Sequence, residues 1–187
     1  MALTTFVSGQ VLTAAQLNDS YAAVGGLRLI KTQTIGSAVS SVTVTDAFSS
    51  TYENYKIVVS GGTSSSPTSY LLIQFGAVAT GYYVGGIQVN TGGSVAGASQ
   101  NNATSGRVGM TTADALAVSI DVIGPNLAKK TVWGSMGTSD ANAASAIGYW
   151  YAGSENGTTQ HTAFTLLPGG GTLTGGTIRV YGYANTN

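Results

Sequence analysis

Charge is what this chain lacks, and the lack narrows what it can fold into. Lys and Arg number seven, Asp and Glu seven, and the net charge is zero. At 7% charged residues the chain falls far below the roughly 25% of an ordinary soluble domain. Its polar surface must instead be built from Ser, Thr, Asn, Gln and 27 Gly. These residues compete with helical hydrogen bonding and favour turns and strands, so the chain reads as all-β. A surface with so little self-repulsion invites association unless neighbours permanently occupy it, and the same feature points to a part of an assembly.

The rest of the composition removes several function classes. Apolar residues make up 43%, enough to bury a core. Cysteine is absent, which excludes disulfides and thiolate metal sites. No basic stretch followed by an apolar run opens the chain, and no apolar run approaches the roughly 18 residues that span a bilayer. Neither a secretory leader nor membrane insertion is therefore expected. One basic pair, Lys129 and Lys130, cannot supply the phosphate neutralisation that dominates nucleic-acid affinity, and no nucleic-acid partner is expected.

The chain divides into residues 1–26 and 27–187. In the first part, Thr13 and Gln16 have capping-box spacing, Gly25-Gly26 provides a stop, and Ala14, Leu17, Tyr21 and Val24 form one apolar stripe, which predicts a short helical or extended attachment segment. A helix of about a dozen residues is marginal alone, so its stripe must bury against something. From Leu27 the period is two. Strands are predicted at 27–34, 39–45, 55–60, 70–75, 82–89, 107–111, 116–123, 130–136, 146–151, 161–166 and 177–183, with turn signals at Gly61-Gly62, Gly85-Gly86, Gly92-Gly93, Gly124-Pro125, Asn156-Gly157 and Pro168-Gly169. This pattern predicts a jelly-roll-like β-sandwich. Thr91 to Gly106 reads as a surface loop. In the strand around 115–123, Leu116, Val118, Ile120 and Val122 alternate with Ala117, Ser119 and Asp121, leaving one face small enough for another chain to approach closely.

Signals for chemistry are weak. His161 is the one histidine, too few for a histidine metal cluster, and it reads as a histidine at the start of a strand. No Gly-x-Ser-x-Gly elbow is present, and the acids are scattered without a glycosidase signature. The expectation is a non-enzyme with no cofactor and no metal. The aromatic run Tyr149-Trp150-Tyr151 cannot all face one core, so Trp150, its flanking tyrosines and Trp133 are candidate contacts for a glycan or a protein partner.

Three stretches carry a resemblance. Phe6-Val7-Ser8-Gly9-Gln10-Val11-Leu12-Thr13-Ala14-Ala15-Gln16-Leu17-Asn18 resembles the N-terminal segment of many tailed-bacteriophage virion proteins, tail fibres above all. Val39 to Val44 with Asn54-Tyr55-Lys56-Ile57-Val58-Val59-Ser60-Gly61 is similar to the first hairpin of β-sandwich modules in such proteins. Gly175 to Tyr183 resembles their closing strand. The resemblance implies a trimeric or otherwise oligomeric structural protein of the virion. It would contact its own copies and other virion proteins, with Phe6, Val11, Leu12, Leu17 and Tyr21 at the attachment or oligomer interface. The short length leaves a capsid decoration protein, and a module binding host-surface glycans, as alternatives.

Overall fold

The structure is a computed structural model and describes residues 8–9, 11, 13, 26–140 and 146–184. The stripe from Ala14 to Val24 on which the helix is expected falls outside the described residues, as do Phe6 and Leu12; Val11 is exposed. Among the described residues there is no helix. The strands are β1 (Leu27–Thr34), β2 (Val42–Val44), β3 (Asn54–Ser60), β4 (Thr63–Ser64), β5 (Tyr70–Phe75), β6 (Tyr82–Asn90), β7 (Val95–Ala103), β8 (Gly106–Met110), β9 (Ala117–Ile123), β10 (Thr131–Asp140), β11 (Ala146–Glu155), β12 (Phe164–Pro168), β13 (Leu173–Thr174) and β14 (Thr177–Tyr183).

They form an eight-stranded sheet in the order β1-β14-β3-β9-β10-β11-β6-β7, a four-stranded sheet β2-β12-β5-β8, and the small pair β13-β4. All pairings are antiparallel. The two larger sheets pack as a β-sandwich, with the hairpins β6–β7 and β10–β11 following β9 at one side of the eight-stranded one. Both hairpins are added to the same sheet. The large sheet is therefore wider than its partner, β8 packs over β10 and β11, and β7 ends as a free edge.

The core fills the space between the sheets with alternate side chains, as the two-residue period requires. Val42 and Val44 point inward around exposed Thr43, and Leu116, Val118, Ile120 and Val122 are buried. Two buried tyrosines clamp the turns before their own strands. The Tyr55 hydroxyl accepts from the Ser49 N–H and donates to the Ser49 carbonyl, both at 2.7 Å. The Tyr82 hydroxyl accepts from the Phe75 N–H at 2.7 Å and donates to the Val78 carbonyl at 3.1 Å. Each ties a connection to the strand that follows it and satisfies buried backbone groups.

Three expectations are corrected. The stretch expected as a loop contains β7, whose sequence VAGASQNNA shows no apolar alternation because only Ala98 on it is buried. Gly85-Gly86 lies inside β6 rather than in a turn; a Cβ on Gly86 would sit 2.4 Å from the Trp150 carbonyl oxygen, so close strand approach, not turning, demands glycine there. His161 precedes β12 instead of opening it, and is paired with a carboxylate.

Candidate functional site

Of the four aromatic candidates, three are core residues. Trp133 and Tyr149 are fully buried, Tyr151 is 2% exposed, and Trp150 is 46% exposed. Register explains the split: β11 turns Tyr149 and Tyr151 toward the four-stranded sheet, so Trp150 stands on the outer face of the large one.

Cross-strand pairing puts that ring in a row. Val58 pairs with Ser119, Ser119 with Met136, Met136 with Trp150, and Trp150 with Ile87. Met136, Trp150 and Ile87 are all about half exposed, forming an apolar ridge across β10, β11 and β6. Two residues along the strands, the next row pairs Lys56 with Asp121, Asp121 with Gly134, Gly134 with Ala152, and Ala152 with Gly85. The small side chains of this row leave a shallow trough of about 460 Å³ beside the ridge. A second hollow of about 390 Å³ lies on the other side of Met136, over Ala117, Gly137 and Thr138. The small outer face expected for β9 is part of this floor.

One end of the trough is polar. Lys56 Nζ lies 3.2 Å from both carboxylate oxygens of Asp121, and the Tyr183 hydroxyl donates to the same carboxylate. That bond, with some burial, pushes the Tyr183 hydroxyl up to about 12. The pair is solvent-accessible and contributes little to stability, but its Asp121 carboxylate lines the same trough as the Trp150 indole, two strands away across the floor. Elsewhere, burial raises Tyr82 and Tyr151 to about 12 and lifts Tyr149 further. These hydroxyls act as neutral structural groups.

A second polar cluster is enclosed. His161 Nε2 lies 3.1 Å from Glu155 Oε2, with both side chains almost completely buried. Glu155 Oε1 also accepts from the Gly157 N–H at 2.6 Å, and the imidazole stacks on Phe75 at 5.6 Å. The His161 N–H donates to the Pro125 carbonyl, and the Asn126 amide donates to the His161 carbonyl. The cluster knots the ends of β5 and β11 to the turn after β9, and it has no opening for a substrate. Among the described residues no group of three His, Cys, Asp or Glu is placed to hold a metal.

No family model matches the chain, and no curated protein matches it. Among solved structures, that of infectious bursal disease virus, Gx strain, aligns with 85% of this chain at 13% identity. The chain spans 41% of that one, and the TM-score of 0.12 is too low to carry any argument about fold or role.

Proposed function

We propose that the protein is a non-enzymatic structural component of a tailed-phage virion: an oligomeric appendage of tail-fibre type that attaches through residues 1–26 and displays the sandwich. The observation that supports this most is the outer face of the large sheet. There an apolar ridge stands over a floor of Gly, Ala and Ser, in a chain with seven basic and seven acidic residues. Such a face is poorly suited to bulk water and well suited to close approach by another protein. A capsid decoration role rests on the same surface and differs in copy number and position.

Deleting residues 1–26 leaves a folded sandwich that no longer joins the particle when supplied in place of the full chain. Incorporation of the shortened chain at the full-length level would overturn the attachment role. A second reading is favoured by one feature, the half-exposed Trp150 indole in a trough that Asp121 also lines, an arrangement in which a sugar ring stacks and its hydroxyls find a carboxylate across the floor. Retention on a host-surface glycan that is lost in Trp150→Ala would select that reading.

A further inference from the structure

The two edges of the large sheet are built differently. At one edge β1 carries Arg28 and Lys31, and its register with β14 shifts between Leu29 and Lys31. Charge and a bulge are the usual means by which an edge refuses another strand. At the opposite edge β7 has no charged residue and no proline over nine residues. Its pairing with β6 shifts at one end, between Tyr82 and Val84, and then runs without a break from Val84–Gln100 to Val89–Val95. An edge strand offers main-chain donors and acceptors on its free side, and from Val95 to Gln100 this one has neither device to refuse a partner. The edge at the β2 side of the smaller sheet is only three residues long.

We propose that β7 is where a second copy of this chain adds a strand, the two β7 edges pairing antiparallel about a two-fold axis. The proposal rests on the oligomeric reading above and specifies where the contact lies. Three observations select a second copy as the occupant. Identical strands paired antiparallel are self-complementary, so one surface serves both partners. No charged residue or histidine occurs between Lys56 and Arg107, so two β6–β7 hairpins meet without repulsion. Strand addition chooses a foreign sequence through side-chain pockets, and β7 presents Ala96, Gly97 and Ser99, all exposed and too small to form them. Recognition is left to the backbone, and the added strand prolongs the sheet across the axis.

The chain has no cysteine, which makes cross-linking a clean test. Gly97→Cys and Ser99→Cys are made singly, with Thr32→Cys on exposed β1 as the reference. A Cβ at Gly97 meets nothing within 4 Å, so these changes leave the fold intact. Mild oxidation is expected to link at least one β7 variant into dimers and to leave Thr32→Cys single. In parallel, Val95→Lys/Gly97→Lys is expected to weaken self-association by at least roughly tenfold, since like charges facing each other across paired strands repel, with an unchanged circular dichroism spectrum. The proposal is overturned if neither β7 variant links more than Thr32→Cys, or if the lysine variant keeps the wild-type mass. A mass of three chains untouched by the lysines sinks edge pairing and leaves the oligomeric reading standing. A wild-type chain that stays single sinks both.

Discussion

Trp133→Ala lowers the stability of the sandwich by about 3–5 kcal/mol, the cost of emptying a large aromatic site in a packed core. The indole is 1% exposed, lies 5.6 Å from the Phe75 ring and 6.1 Å from the Tyr82 ring, and donates from Nε1 to the Arg107 carbonyl at 3.2 Å. Glycines border it on two strands. A Cβ on Gly106 would sit 2.2 Å from Trp133 Cζ2, and one on Gly153 2.3 Å from the same atom. Gly153→Ala is therefore also destabilising, by overpacking. The double variant Gly153→Ala/Trp133→Leu is less destabilised than the sum of its singles, because the smaller ring-free side chain removes the clash with the indole and leaves only that with the Tyr83 carbonyl oxygen, at 2.8 Å. Chemical denaturation monitored by circular dichroism measures all of these. Additivity within error would show that the glycine is not there to admit the indole.

His161→Leu is expected to cost about 3–5 kcal/mol, because it strands the buried Glu155 carboxylate with only the Gly157 N–H as partner. Replacing both members tests the coupling. A buried pair exchanged for apolar side chains of similar volume is often neutral or better, so Glu155→Leu/His161→Leu recovers most of the loss, less the acceptor that Gly157 forfeits. A double variant as unstable as the two singles combined would show that the residues act separately. The pair is structural in this account, and its loss affects folding rather than any reaction.

Much of this fold is legible from the chain alone, where a strand has one wet and one dry face. β5 and β14 span 70–75 and 177–183, the limits that alternation predicts, and the inward set of β9 follows from Leu116 to Val122. Legibility fails where that contrast vanishes. β7 buries only Ala98 and leaves no period to read. Gly85-Gly86 resembles a turn because sequence cannot distinguish a glycine needed for positive φ from one needed, as Gly86 is, for close approach. The candidate site is legible only in part. Parity shows that Trp150 and its neighbouring tyrosines must point oppositely, but not which side is the core. The ridge of Met136, Trp150 and Ile87 depends on registers among three strands, two of them in separate hairpins. His161 gives no hint of Glu155, because the intervening turn rather than a periodic element brings them together.

The central claim is that the sparsely charged surface, above all the outer face of the large sheet, is covered by other chains. Sedimentation equilibrium of the intact protein, from about 1 to 100 µM, tests it most directly, since association must follow mass action. The account predicts a mass of two or more chains at the upper end of that range. A single-chain mass throughout, with the protein remaining soluble, would contradict it.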